Sequence, residues 1–406
     1  MHIAPNPLVS VVMPVYGVEK FLPQSLDAVA AQTHRNIEVI LVDDDSPDDC
    51  PRICDDRAAS DPRFHVIHEA NGGVSHARNT GLAAATGEFV YFMDPDDLIE
   101  PTLIETSLQA LRDYDADLVF FKFDTITESG RPDSTPYKHN DYDEVQVLTP
   151  QEAIKQQLTA QIDGYVWSFL APLEVYRKQD FAFPVGRKVE DMARICNVIG
   201  ESTRIVRLTD VLYHYRLRAG SAIGSFNPEL LADWFRAADD RRDYIVERYP
   251  ELEAFVNLSS LNVLANQDYG VIRQSIVYGF KLDPDSQARF REKLDEWADR
   301  VGRDNVPDET ESMLDVIRGK MQDAQDSIKD TVKDTVKDTI AAAKEATDTV
   351  TDTIKDTVKD TVQAAKEARE AAKDAHEERA AGRREAAEAR KEAREALRRA
   401  WQMPKS

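Results

Sequence analysis

Residues 9–46 read VSVVMPVYGVEKFLPQSLDAVAAQTHRNIEVILVDDDS, and the fold class follows from this stretch. Val9 to Val15 is a β-branched apolar run leading into Tyr16, and Val18 to Ala31 carries apolar residues at helical spacing. Ile37 to Val42 is a second apolar run, closed by Asp43-Asp44-Asp45-Ser46. Strand, helix, strand is the expected order. The unit repeats downstream, with helices expected over 51–59, 74–85 and 101–114 and strands over 64–67, 88–93 and 117–123. Continuous apolar strands alternating with helices indicate an α/β domain whose parallel sheet is covered on both faces. Ligands of such sheets sit beyond the carboxyl ends of the strands. The polar residues that follow the strands are therefore the candidates for chemistry.

Beyond residue 125 the pattern loosens. Residues 125–139 read as a polar excursion, a helix is expected from Thr149-Pro150, and an apolar pattern resumes from Trp167 to Tyr176. Residues 185–191 lead into a helix over 192–200, followed by a short strand over 204–208 and a segment over 211–218 rich in aromatics and arginine. From Pro228 to about Asp299 the spacing is helical.

Charge divides the chain further. The 406 residues hold 51 Lys+Arg and 74 Asp+Glu, a net of -23. Such a balance argues against a nucleic-acid binder that gains affinity by neutralising phosphates. Residues 321–406 contain 18 basic and 19 acidic residues, which leaves 33 and 55 upstream, so the acidity belongs to the globular part. The tail repeats itself: residues 333–346 (KDTVKDTIAAAKEA) recur as 355–368 (KDTVKDTVQAAKEA), 22 residues on. Its apolar stripe advances about 3.67 residues per turn, the period of a nearly straight or slightly right-handed helix. A coiled coil between subunits, a helix on a membrane surface and a solvated helix are all compatible with that stripe. No run of about 18 apolar residues and no basic start before an apolar run occurs, so neither a spanning helix nor a secretion signal is expected, and the expected address is cytoplasmic. Cys50, Cys54 and Cys196 form no framework, and Cys50 and Cys54 lack the neighbours of a zinc site.

Three post-strand segments carry potential chemistry. Asp94-Pro95-Asp96-Asp97 places three carboxylates within four residues, an arrangement that a divalent cation would neutralise; an Asp-rich turn capping the next helix accounts for the residues equally well. Asp43-Asp44-Asp45-Ser46 should face the same crevice, where a carboxylate can accept a base N–H or ribose hydroxyls. Asn71-Gly72-Gly73-Val74-Ser75-His76-Ala77-Arg78-Asn79 puts a glycine pair before a helix and an arginine one turn into it. His68, His76 and His214 read as packed residues rather than ligands.

In this order and spacing, residues 9–16, 41–46, 71–79 and 92–97 closely resemble family 2 glycosyltransferases with the GT-A fold, over roughly residues 8–220. The resemblance implies a mixed sheet with helices on both faces; the helical spacing after Pro228 and the tail repeat add a helical region and a long C-terminal amphipathic helix. The corresponding boundaries are a GT-A domain over 1–224, a helical subdomain over 225–320 and a repeat-bearing tail over 321–406. By position, Pro14, Val15 and Tyr16 would line the nucleotide pocket, Asp44 would meet the base, and Arg78 would lie near the base or diphosphate. Asp94 would contact the ribose, and Asp96 would hold Mg2+ or Mn2+, with Asp97 behind it. Asp191 matches the catalytic base and Glu190 its acidic companion; on residue type alone, both are equally at home as charges at a helix start. Trp167 matches an acceptor-side aromatic, a buried core tryptophan accounting for it nearly as well, and Arg216 or Arg218 would meet the diphosphate. The family usually has Asn at position 17 and Gly at position 45, where this chain has Gly17 and Asp45. The implied activity is inverting, metal-dependent transfer from a nucleotide sugar, a UDP-sugar being expected, to a glycan or lipid-linked acceptor in cell-surface polysaccharide synthesis. The tail would then mediate self-association or peripheral contact with the inner face of the membrane. Two rivals are a nucleotidyltransferase, which normally needs a Gly-rich basic loop absent after the first strand here, and a non-catalytic scaffold served by its tail.

Overall fold

Alternation within β1 (Val9–Val15) sends Val9, Val11, Met13 and Val15 to one apolar layer and Val12 to the other, as a strand buried on both faces requires. The computed structural model describes residues 3–133, 142–178, 181–218, 228–278 and 284–317, and the expectations for the tail lie outside them. After β1 come α1 (Leu22–Ala30), β2 (Ile37–Asp44), α2 (Cys50–Ser60), β3 (Phe64–Glu69), α3 (Val74–Ala84) and β4 (Phe89–Phe92). Then follow β5 (Leu98–Ile99), α4 (Leu103–Asp113), β6 (Leu118–Ile126), β7 (Gln146–Leu148), α5 (Pro150–Leu158), β8 (Phe169–Pro172) and α6 (Leu173–Arg177). The remainder is α7 (Glu190–Glu201), β9 (Ile205–Arg216), α8 (Pro228–Arg248), α9 (Glu253–Tyr278), α10 (Pro284–Val301) and α11 (Asp308–Ile317).

The strand order is β3-β2-β1-β4-β8-β6-β9-β5, with β7 paired to β9 off this path. The βα units make β3, β2, β1 and β4 parallel, as the alternation predicts. Past β4 the sheet is mixed: β8 runs antiparallel to both β4 and β6, and β5 and β7 run antiparallel to β9. Local alternation could not reveal this, because β8 is only four residues long and pairs with strands remote in sequence. The expected short strand over 204–208 and the aromatic segment after it are one strand, β9. Register shifts against β6 near Lys122 accommodate it, although polar Thr209 and Asp210 interrupt the apolar pattern.

One apolar layer packs Leu22, Leu26, Cys50, Cys54, Leu103 and Leu108 against the sheet. The other packs Ala77, Ile154, Ile195 and Ile199. Burial pushes the thiols of Cys50 and Cys54 up to about 12, which marks them as packing residues. Thr149 starts α5 by accepting the Glu152 N–H while Glu152 accepts the Thr149 N–H, with Pro150 in the first turn. The helical spacing after Pro228 resolves into α8 to α11, with Pro250 and Pro284 at new starts, around Phe235, Leu261, Leu264, Phe290 and Trp297.

Candidate active site

The crevice opens where β1 parts from β4. Their pairing ends at Val12 and Phe92, with Met93 N–H still donating to the Val12 carbonyl at 3.0 Å, while β1 stays paired to β2 through Val15. Pro14 lies just past that point, so its missing N–H removes no bond to β4. Pro14 and Val15 are buried, and Tyr16 beyond them is 53% exposed. Gly17 (φ 63°) and Asp45 (φ 57°) both adopt the left-handed conformation. Gly, Asn and Asp all tolerate it, so both departures from the family pattern preserve the backbone, although Asp45 adds a charge.

At the ends of β2 and β3 the carboxylates are occupied. Asp44 Oδ1 accepts the Gly72 N–H at 2.6 Å and Oδ2 accepts the Gly73 N–H at 2.9 Å, which clamps the loop before α3 onto β2. Asp43 pairs with His68 at 2.8 Å, and that pairing raises the His68 pKa; Glu69 pairs with the His76 imidazole at 2.8 Å. His68, between Asp43 and Asp55, and His214, between Asp124 and Glu100, bridge carboxylates, and His76 pairs with Glu69 alone, so none of the three is simply a packed core residue. Asp44, Glu69 and His76 bring donor atoms within 4.8 Å of one another, the one such trio among the described residues.

The turn after β4 is organised by arginine. Asp97 is 1% exposed and accepts the Tyr213 hydroxyl at 2.5 Å and the Arg216 N–H at 2.7 Å. Burial, aided by the charges of Asp96 and Asp94, holds it well above the usual carboxylate range. Arg216 is fully buried: Nε donates to the Asp96 carbonyl at 2.6 Å, and its two terminal nitrogens donate to Glu128 and Gln24. All three nitrogens are engaged, so Arg216 braces the turn, whereas partly exposed Arg218 meets the Asp96 carboxylate.

Across the crevice, α7 begins with Glu190 and Asp191 after Val189, a β-branched residue at φ 63°. Such a conformation is a genuine outlier for valine and fixes how the chain enters α7. Arg78, 4% exposed on α3, joins α7 to β4: one nitrogen donates to Glu190 and another to Asp94 at 3.1 Å. Burial raises the Asp94 pKa and Arg78 opposes that rise. Burial, then the charge of Glu190, raises Asp191 to about 7 against the pull of Arg78. A carboxyl that ionises near neutrality suits a general base.

The fold thus brings Arg78, Asp94, Asp96, Glu190, Asp191 and Arg218 into one region, with Asp44 and Tyr16 at neighbouring strand ends. Trp167 is 3% exposed, stacked on Tyr165 at 4.7 Å and on Tyr213 at 4.2 Å, and the partly exposed rings of this stack are Tyr165 and Tyr215. Sequence reasoning missed Tyr213 as a partner of Asp97 and missed Val189. The Tyr213-His214-Tyr215 alternation on a strand could have located the first. For a divalent cation, the carboxylate of Asp96 offers the hard oxygen that Mg2+ or Mn2+ prefers, once Arg218 moves aside. Asp94, Asp96 and Asp97 do not converge as a closed cage, so remaining ligands would have to come from a bound diphosphate and water. On these terms the residues fit.

A sheet that opens at its strand ends onto carboxylates, beside an acid raised to about 7, has the layout of an α/β nucleotide-binding fold. The family described as "Glycosyl transferase family 2" matches residues 10–176. The Streptococcus pneumoniae glycosyltransferase GlyG is 32% identical over 276 residues, 66% of this chain and 84% of that protein. Bacillus subtilis EpsJ, described as an uncharacterized glycosyltransferase, is 31% identical over 273 residues, 65% of this chain and 74% of EpsJ. The fold resembles Staphylococcus aureus TarS residues 1–349, solved in complex with UDP-GlcNAc, at a TM-score of 0.58 and 21% identity over 80% of this chain and 92% of that one. The chain belongs to the family 2 glycosyltransferases, with a GT-A fold, and is a glycosyltransferase enzyme. Among the described residues no helix is long and apolar enough to cross a membrane.

Proposed function

We propose that the chain transfers a sugar, with inversion, from a UDP-sugar to a hydroxyl of a glycan or lipid-linked acceptor in cell-surface polysaccharide synthesis. The observation that carries this reading is Asp191, raised to about 7 at the start of α7 beside Glu190, whose ion pair with Arg78 reaches on to Asp94 after β4. Above pH 7 its carboxylate accepts the acceptor proton as the hydroxyl attacks the anomeric carbon, and direct displacement inverts that centre. The complex of TarS with UDP-GlcNAc supports a UDP-sugar donor.

Asp96 is the residue that would hold Mg2+ or Mn2+, which supplies Lewis-acid stabilisation to the departing diphosphate when bound. Among the described residues Asp94, Asp96 and Glu190 are ion-paired to Arg78 and Arg218, while Asp97 takes the backbone N–H of Arg216, so two paired cations stand among five acidic residues where a diphosphate would bind. That shortage supports metal dependence. Arg218, released from Asp96, would be free to meet the diphosphate. Asp96→Ala should abolish Mn2+-dependent hydrolysis of a UDP-sugar while circular dichroism and melting remain near wild type, and retained activity would overturn the metal assignment. The domain boundaries 1–224, 225–320 and 321–406 stand in this proposal. The tail would add self-association or peripheral contact at the cytoplasmic membrane face. A chain ending at Lys320 should keep soluble activity but lose oligomeric mass or liposome co-sedimentation, and a chain unchanged in both would contradict this role.

A further inference from the structure

Helix α7, whose first turn carries Glu190 and Asp191, begins without a side-chain cap: Val189 stands at the cap position at φ 63° and has no oxygen to offer the first-turn N–H groups. A valine left to itself avoids this conformation, so the local sequence does not fix where α7 starts or how the chain enters it. The hold comes from α8. Asp233, 6% exposed on α8, accepts the Lys188 N–H with Oδ2 at 2.9 Å, while its Oδ1 pairs with Arg236 one turn on at 2.9 Å. Two turns beyond Asp233 on the same helix, Asp240 accepts from Arg187 at 2.9 Å. Both residues ahead of Val189 are therefore anchored to α8. Val189 itself packs on an apolar cluster that joins Met192 and Ala193 of α7 to Leu231 and Phe235 of α8. The far end of α7 is tied as well, where the Tyr249 hydroxyl just past α8 donates to the Gly200 carbonyl at 2.7 Å. Asp191 thus inherits its position from a helix that lies outside the sheet domain.

We propose that Asp233 is a positioning residue for the reaction: its bond to the Lys188 N–H keeps Val189 left-handed and so aims the Asp191 carboxylate at the acceptor hydroxyl. The inference rests on the proposed role of Asp191 as base and adds the contact that sets its geometry. Without the clamp, Val189 relaxes toward the extended region and turns the start of α7, which carries Asp191 two residues on. A shift of about 1 Å at a reacting group costs up to about 10²-fold in rate.

The test is steady-state hydrolysis by the full chain, with Mn2+, of the UDP-hexose that wild type turns over fastest, reading kcat and KM separately and following thermal melting. Asp233→Ala should lower kcat about 10- to 100-fold while KM stays within about twofold, because no donor contact is removed. Asp233→Asn keeps an oxygen for the Lys188 N–H and should stay within about threefold of wild type. Val189→Gly added to Asp233→Ala should recover most of the lost kcat, since glycine holds a positive φ without a clamp. A purely structural loss would not be repaired by removing a packed side chain, so this recovery marks positioning. If Asp233→Ala does not melt cooperatively, Asp233→Glu decides: displaced by one methylene, its carboxylate should lower kcat about threefold or more at unchanged KM. A wild-type kcat in Asp233→Ala or in Asp233→Glu, or a double variant no faster than Asp233→Ala, would overturn the inference and leave the base reading intact. Full activity in Asp191→Asn, or no turnover of any UDP-hexose by wild type, would defeat the underlying reading and this inference together.

Discussion

Two acidic strand ends with nearly the same composition solve their charge problem in opposite ways. After β2, Asp43 and Asp44 are met by an imidazole and by backbone N–H groups, and neither needs a cation to be buried. After β4, Asp94 and Asp96 are met by guanidinium groups remote in sequence and Asp97 by a phenol and a backbone N–H, and across the crevice Asp191 is raised to about 7. The first arrangement fixes a loop. The second stores an imbalance that chemistry can use, because a buried acid held partly protonated is poised to exchange a proton. Acidic runs at strand ends thus differ in role according to what faces them.

The largest effect should come from breaking the second region alone. Asp191→Asn is expected to lower transfer by about 10²–10⁴-fold, the range of a lost general base. The same variant should melt higher than wild type at pH 7.5. Between about pH 4 and 7 the raised acid stays protonated in the folded chain while its unfolded counterpart ionises, so stability falls as pH rises through that window and stays lowered at pH 7.5. Removing the charge removes the loss. Asp44→Asn should behave in the opposite sense, losing about 1–2 kcal/mol from charged hydrogen bonds to the Gly72 and Gly73 amides. Thermal unfolding of the two variants side by side checks the contrast, and a lower melting point for Asp191→Asn would contradict it.

Smaller effects belong to the turns that carry the first region. Gly17→Asn should change stability by less than about 0.5 kcal/mol, whereas Gly17→Val should cost about 1–2 kcal/mol, because only the former tolerates φ 63°. Melting curves separate these outcomes, and equal melting points would refute the conformational account of that departure.

How much of this was legible in the residues follows the same division. The runs after the strands at 37–42 and 88–93, the βα alternation and the pairing of Glu190 with Asp191 are local, and all were readable. The ion pair of Arg78 with Glu190 spans 112 residues, and the antiparallel insertion of β8 depends on partners far along the chain. Neither leaves a periodic signal. Arg216 and Arg218 look alike two residues apart, yet Arg216 is buried at the end of β9 while Arg218 lies partly exposed beyond it, which makes one a brace and the other a cation at the crevice. Val189 hides for another reason: valine gives no hint of a left-handed backbone.

The central claim, that Asp191 is the base and its neighbours set its proton affinity, is tested most directly by the pH dependence of kcat/KM for wild type and Glu190→Gln. Wild type should show an ascending limb with a midpoint near pH 7, since the active form is the carboxylate. Glu190→Gln removes a like charge, so its limb should move to lower pH by roughly 1 unit. A wild-type limb centred below pH 5, or one that Glu190→Gln moves upward, would contradict the account.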